Sequence, residues 1–430
     1  MKILYVAARD LLSPDSPRAA SIAMRITLLS REHEVHVAFA PDQPRTPLEV
    51  RRAMPGIASY TLLQAPNGGK LLSRMLHAVA RRLPYQVASC FGDDNIRLLS
   101  SLAAKWDVDS VFYDTVRCLL VRRAIKDRTG RKHILDADDL FSLRYADLAC
   151  SSERSAFLGN FARRVPATLI PLARHLSFFI LRREARLMKR VEVVLPALFD
   201  HLVFVSDVEA ERLRQATGRA NISGIYQFIP GILEKSSGAP TGPGSNGDVY
   251  FLGNFLSPAN LASIKLIANE VWPLVRAKVP GAKLHVVGGH MPAALQQHIS
   301  AQDISFTGYV ADLDTAIANF GILLSPMGHG TGIKTKIVEA MWRGKAVVTN
   351  GAGIRGLRVV PGRHCLIAET AEGLAAHTIA LLKDPDLRSQ IGHGARDCIV
   401  QSFEPLRLIG EWESVIGSEP ASQETVRGAA

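Results

Sequence analysis

The sequence predicts an α/β protein built of two doubly wound, Rossmann-like domains, and three observations carry that expectation. Short apolar runs alternate with longer amphipathic stretches along most of the chain, the pattern of parallel strands and their crossover helices. The alternation breaks once, at 236–247, where Ser236, Ser237, Gly238, Pro240, Gly242, Pro243, Gly244 and Gly247 can bury little apolar surface and favour turns. The length of 430 residues exceeds one ordinary core and suits two domains of roughly 200 residues each.

Strands are expected at 3–7, 35–39, 57–62, 110–113, 134–137 and 202–205 before the break, and at 249–252, 284–287, 304–306, 322–325, 346–348 and 365–367 after it. This gives a first domain over 1–235, a linker over 236–247 and a second domain over 248–402. Ser257 and Pro258 offer an N-cap and a proline at the first helical position of a helix running to about residue 275. Within 403–417, Leu408, Ile409, Trp412, Val415 and Ile416 recur at helical spacing and form one apolar stripe that must pack on something. The tail, 418–430, reads as disordered. In doubly wound folds ligands sit at the carboxyl ends of the strands, so two such domains face to face imply a cleft between them.

Hydrophobic residues make up 47% of the chain and charged residues 21%, a globular composition. The net charge of +11 favours anionic partners: phosphates, anionic lipid or nucleic acid. Nucleic acid is excluded as the expectation, because no zinc-finger or RNA-binding spacing occurs and the aromatics, 7% of residues, are not interleaved with basic ones. The five cysteines, Cys90, Cys118, Cys150, Cys365 and Cys398, are scattered and read as reduced thiols of a cytoplasmic protein. The apolar start at Ile3 meets Arg9 and Asp10 too soon for a signal peptide and reads as a strand. The apolar stretch 165–181 is broken by Pro166, Pro171, Arg174 and His175, so no transmembrane helix is expected.

The most informative stretch is 321–350, which reads as strand, glycine loop, helix, strand. Gly328, Gly330 and Gly332 let the backbone approach a ligand closely, and a helix beginning near Thr331 would aim its free N–H groups and positive dipole end at an anion. Lys334 and Lys336 add positive charge, so a pyrophosphate is well matched. The plainer reading is a turn with two solvated lysines and a surface Glu339 paired with Arg343 one helical turn on. A P-loop is excluded because Ile333, not glycine, precedes Lys334. The dinucleotide spacing of Gly351, Gly353 and Gly356 has Glu369 downstream, but 357–362 looks extended and turned where a helix should follow.

At these residues the chain resembles glycosyltransferase family 4, the retaining enzymes of GT-B fold (glycosyl transferases group 1). The resemblance runs through the second domain: Phe251, Gly253 and Asn254 with Pro258 and Asn260, then Trp272 and Pro273, Val286 and Gly288, Gly308 with Tyr309 and Val310, and above all Gly330, Thr331, Gly332, Lys334, Lys336 and Glu339. The first domain matches more loosely, through Asp136, Asp138, Asp139, Ser142 and Arg144, and through Val205 and Ser206.

The resemblance implies a donor site in which Glu339 accepts hydrogen bonds from ribose hydroxyls. The glycine loop, His329 within it, and the lysines hold the diphosphate, and backbone near Tyr309 and Val310 meets the base. Gly253 and Asn254 complete the donor side. The nucleotide-sugar donor, UDP- or GDP-linked, is a substrate; no cofactor and no metal are implied, since fixed positive groups stabilise the leaving diphosphate. His285, His290 and His329 have no ligand spacing. Retention implies front-face attack without a protein nucleophile. Lipid-linked or saccharide acceptors of surface polysaccharide or glycolipid synthesis are implied, and the last helix of such folds crosses back onto the first domain.

Two features depart from the family pattern. Thr331 stands where the first of the paired glutamates is usual, and 14–21, around Arg18, holds no glycine. Asp136, Asp138 and Asp139 read either as an ion-paired strand end or, for Asp138 and Asp139, as acceptor-side groups. A sugar-nucleotide epimerase and a non-catalytic nucleotide-sugar-binding protein remain alternatives. Finally, 161–190 combines Leu169, Leu172, Leu176 and Phe179 at helical spacing with Arg163, Arg164, Arg174, Arg182, Arg183, Arg186, Lys189 and Arg190. That reads as a peripheral contact with anionic membrane or as a packed helix with a solvated basic face.

Overall fold

The computed structural model describes residues 1–13, 16–64, 78, 80–150, 170–229, 247–328 and 332–417, with 150 and 170–177 described by backbone alone. The chain divides into two compact units, Met1–Pro230 with Pro405–Ala430, and Gly231–Glu404. The expected linker over 236–246, the tail over 418–430, the segment 161–169, and His329, Gly330 and Thr331 lie outside the described residues.

The first unit holds a seven-stranded parallel sheet in the order β3-β2-β1-β4-β5-β6-β7. Its strands are β1 (Lys2–Ala7), β2 (Glu34–Phe39), β3 (Ser59–Leu62), β4 (Ser110–Asp114), β5 (Lys132–Asp138), β6 (His201–Phe204) and β7 (Ile222–Gly224). β1, β2 and β4 are buried on both faces almost end to end, as parallel strands between two helical layers must be, which is why their sequences are nearly continuous apolar runs. The second unit holds a six-stranded sheet, order β10-β9-β8-β11-β12-β13, from β8 (Asp248–Leu252), β9 (Leu284–Val287), β10 (Ser305–Gly308), β11 (Phe320–Leu324), β12 (Ala346–Thr349) and β13 (Leu366–Ile367). Every pairing in both sheets is parallel.

Both orders reverse direction once, between β1 and β4 and between β8 and β11. The connections on the two sides of such a point leave towards opposite faces of the sheet, so a crevice opens outside the strand ends there.

The helices that bear on these crevices, numbered in chain order, are α1 (Pro17–Leu29), α2 (Phe141–Cys150), α3 (Ile170–Leu198), α4 (Asp207–Thr217), α5 (Pro258–Leu266), α6 (Thr335–Trp342) and α7 (Pro405–Gly417). Ser16 caps α1 by accepting from the Ala19 amide at 3.2 Å, with Pro17 at the first position. Ser206 caps α4 through the Glu209 amide. The helix expected to run from Ser257 to about residue 275 does so in pieces, α5 passing through a π-turn at Ile267–Val271 into Trp272–Lys278.

α7 belongs to the first unit. Its Leu408, Trp412, Val415 and Ile416 are buried, the Trp412 ring lies 4.0 Å from the Arg25 guanidinium and 5.8 Å from the Phe112 ring, and Glu413 meets His33 at 2.8 Å. The stripe read from the sequence therefore packs on α1 and on the first sheet. β7, of three residues, was not anticipated from the sequence.

Candidate functional site in the second unit

The crevice between β8 and β11 is built from a close approach of backbone. A Cβ on residue 288 would stand 1.9 Å from the Gly253 carbonyl oxygen, and Gly288 has φ +141°, so only glycine lets the ends of β8 and β9 pinch together. The Gly253 amide donates to the Val287 carbonyl at 3.0 Å. Gly253 must itself lack a side chain, because a Cβ there would lie 2.8 Å from the Asn260 amide carbon.

Asn260, in the first turn of α5, fills the space so made. Its Nδ2 donates to the Asn254 carbonyl at 2.8 Å, and its Oδ1 accepts from Lys336 Nζ at 2.7 Å. Asn254 closes the turn, its Oδ1 accepting from the Leu256 amide at 3.0 Å. Lys336 Nζ also stands 4.4 Å from the centre of the Phe251 ring. This lysine, which the plainer reading left solvated, is largely enclosed: burial, reinforced by the neighbouring charge of Lys334, lowers its ammonium to about 7.

On the other side of the crevice, Asn350 ties the ends of β11 and β12. Its Oδ1 accepts from the amides of Met327 and Gly353 at 3.0 and 3.2 Å, and its Nδ2 donates to the Met327 carbonyl at 2.8 Å. Gly328 then leaves the loop into open space. Helix α6 begins at Thr335, four residues later than the sequence suggested, with Lys334 at the N-cap position. Lys334 Nζ donates to the Gly332 carbonyl at 2.8 Å, and Gly332 takes the left-handed φ of +76° that this turn needs.

Glu339 sits one turn into α6, partly exposed. Its expected partner Arg343 is shared: the Arg343 Nε bonds Asp314 at 2.6 Å, while the Glu339 carboxylate keeps a looser ion pair with the same guanidinium at 3.7 Å. Tyr309 is 81% exposed beyond the end of β10, with Val310 half-buried beside it and Gly308 at φ +77°. Gly253, Asn254, Lys334, Lys336, Glu339, Tyr309, Val310, Gly328 and Gly332 therefore all belong to strand ends or connections at the carboxyl edge of one sheet. Asn350 and Phe251 complete the set; the sequence placed Asn350 just beyond a strand and Phe251 inside one, with no sign that one would clamp the loop and the other carry the lysine.

The stretch 351–360 is turned and extended, with no helix, so the glycine spacing there is not a dinucleotide site. Glu369 instead accepts from the Gly351 amide at 2.7 Å. His285 pairs with Asp248 and Ser305, and His290 is exposed.

The crevice of the first unit, between β1 and β4, is lined by charge rather than glycine. Arg18 stands 2.5 Å from Asp136, 3.5 Å from Asp138 and 3.8 Å from Asp114, Arg9 bonds Asp114 at 2.7 Å, and Arg25 reaches Asp136 from two turns along α1. Burial would raise the Asp136 carboxyl, but Arg18 and Arg25 outweigh it and hold it at about 2. Thr115 and Asp138, at the ends of β4 and β5, both have positive φ, 66° and 70°, strained for side chains of their kind.

Asp138 keeps some exposure, whereas Asp139 is buried and held by Arg144 at 2.6 Å. Of the two candidate carboxylates Asp139 is thus the one fixed by an ion pair and Asp138 the more accessible. Around it Glu192 accepts from Ser142 and Glu209 from the Leu140 amide, and burial raises both carboxyls to about 7.

Residues 246–384, which contain the whole second-unit site, match the family model described as glycosyl transferases group 1. A curated relative from Klebsiella pneumoniae, described as an uncharacterized 44.6 kDa protein in the cps region, is 26% identical over 218 residues, 49% of this chain and 54% of that protein. The chain thus spans about half the length of this relative. Among solved structures, HepE of Anabaena in complex with UDP and glucose aligns over 97% of this chain and 100% of its own with a TM-score of 0.56 and 17% identity. A TarM variant of S. aureus in complex with UDP and α-GlcNAc-glycerol aligns over 97% and 100% with a TM-score of 0.62 and 11% identity.

The fold is that of the GT-B glycosyltransferases. Over residues 246–384 the second unit is similar to the glycosyl transferases group 1 family.

Two glycines of the site should respond oppositely to alanine. Gly288→Ala should cost about 2–4 kcal/mol, from backbone overlap and positive φ together. Gly328→Ala, with nothing within 4 Å, should stay within about 0.5 kcal/mol. Urea denaturation of the two variants measures both; equal effects would show that the β8–β9 pinch is not a constraint.

Proposed function

We propose that the protein is a retaining, metal-independent glycosyltransferase of family 4, moving a sugar from a nucleotide-sugar donor onto a lipid-linked or saccharide acceptor in surface polysaccharide or glycolipid synthesis. The observation that carries the reading is the gathering of Lys336, the α6 N-terminus and Glu339 at the switch point of the second sheet. An amide-lined helix start and a cation suit a diphosphate, and a carboxylate one turn on suits a diol such as ribose. The UDP in the HepE and TarM structures supports a nucleoside diphosphate leaving group for this chain too.

The chemistry then follows from charge. The glycosidic bond to the donor phosphate breaks as negative charge accumulates on the diphosphate, and fixed donors aimed there lower the barrier without reorganising. Lys334, at the N-cap position of α6, is the cation at the start of that helix. The acceptor hydroxyl attacks the same face that the diphosphate leaves, a donor phosphate oxygen assisting its deprotonation, and Asp138 is the acceptor-side carboxylate with access to solvent.

A peripheral position on the inner face of a membrane is supported by α3. Along its described length Arg182, Arg186, Lys189 and Arg190 are exposed, while its two glutamates, Glu184 and Glu192, turn inward and are buried. Phe179, Val193 and Val194 are exposed on the same outward stripe. A stripe of cations with apolar residues at both ends suits an anionic lipid surface. No helix among the described residues is long and apolar enough to cross a membrane.

Thermal melts with UDP, GDP, ADP and NAD side by side test the donor assignment, since a ligand of the folded state raises apparent stability. Glu339→Gln should weaken nucleotide binding with little change in kcat, whereas Lys334→Ala should lower kcat by about 10² and leave binding nearly intact. Stabilisation by NAD alone, or wild-type turnover in both variants, contradicts the reading. For the membrane, vesicles with phosphatidylglycerol should bind the protein at low salt and release it at high salt, and Arg186→Glu with Arg190→Glu should abolish binding. Equal, salt-independent partitioning onto neutral vesicles would remove that assignment.

A further inference from the structure

Lys336 is held in a setting with no anion to answer its charge. Its Nζ has the Phe251 ring on β8 to one side and the neutral Asn260 amide of α5 as its hydrogen-bond acceptor. Among the described residues no carboxylate lies within ion-pair distance of it, and the charged group that faces it is another cation, Lys334 of the same loop and helix. The elements packed against it, β8 and α5, present an aromatic ring and an amide.

An ammonium so placed is poorly solvated and unpaired, and two states relieve this: the proton leaves, or an anion arrives. The positioning is deliberate in its construction. Gly253 makes room for Asn260, Asn254 anchors the Asn260 amide through its carbonyl, and the remaining amide oxygen is aimed at Lys336.

We infer that Lys336 is the cation that meets the donor's diphosphate, and that binding of a nucleoside diphosphate draws a proton from solvent onto Lys336 Nζ. This rests on the donor-site reading above and adds a pH dependence to it. The burial already described brings the free amine to about 7, so at pH 8 most sites are neutral and binding takes up close to one proton. At pH 6 the amine is already charged and uptake from it vanishes. The sign is therefore fixed: above pH 7 nucleotide affinity falls with rising pH, approaching tenfold per unit. The terminal phosphate of UDP ionises near 6 and does not contribute at pH 8.

The experiment is calorimetric titration of UDP into the full-length protein at pH 8, in two buffers of different ionisation enthalpy. The wild type should take up about 0.8–1 proton per nucleotide, by the linkage of a single group titrating near 7. Lys336→Arg, which keeps the charge and cannot release it, should bind UDP with uptake near zero. Binding without uptake in the wild type, or uptake that persists in Lys336→Arg, overturns the inference and leaves the transferase reading standing.

If no nucleoside diphosphate binds, the donor-site reading itself falls. Acylation of the free protein across pH then tests the amine directly. Lys336 should label with a midpoint near 7, and a midpoint near 10, the ordinary lysine value, overturns the proton claim.

Discussion

The site depends on how closely two strand ends can approach. Where Gly288 passes the Gly253 carbonyl there is no room for a side chain on either residue, and each later contact in the crevice uses that closeness. Asn260 reaches the Asn254 carbonyl only because Gly253 is bare, and Lys336 finds an acceptor only because Asn260 is there. A fold that binds anions at strand ends is common; what is particular here is a lysine held between a ring and an amide. The backbone constraint thus becomes an electrostatic one, a cation placed where burial disfavours it until a counter-charge arrives.

The first unit solves the same geometrical problem with different chemistry. At its switch point the glycine loop is replaced by ion pairs, with Arg18 and Arg25 converging on Asp136 and Arg9 on Asp114. Breaking such a buried pair leaves an uncompensated charge, so the network fixes the ends of β1, β4 and β5 in one arrangement. The two strained residues, Thr115 and Asp138, sit at the ends of the strands so held. α7 reinforces the same region from outside, its Trp412 covering the Arg25 guanidinium, so the last of the described helices protects the charge network nearest the first strand.

Much of this was legible in the sequence. Twelve of the thirteen described strands lie where the sequence placed them, the central ones because parallel strands buried on both faces need nearly unbroken apolar runs, whereas β7 was not read. The apolar spacing of α7 told of a buried stripe before any partner was visible. The start of α6 was read too early, near Thr331, whereas Lys334 takes the N-cap position. The enclosure of Lys336 was illegible for a different reason: helical period shows which residues share a face, but the enclosure comes from Phe251 and Asn260, distant in sequence. The pairing of Glu339 with Arg343 was legible and forms at 3.7 Å; the second partner, Asp314, was not, since it lies on another element. For the first unit a usable signal did exist, in two arginines seven residues apart on a face otherwise made of Ala19, Ile22 and Ile26.

The central claim is that a nucleoside diphosphate binds across the β8–β11 switch point of the second unit. Hydrogen exchange of the backbone amides with and without saturating UDP tests it most directly. Protection confined to 253–260, 308–310, 325–328, 332–339 and 350–353 is the expected result, with the remainder of that unit unchanged. Protection centred instead on the Arg18 cluster of the first unit, or on 351–369 without the α6 N-terminus, would contradict the account.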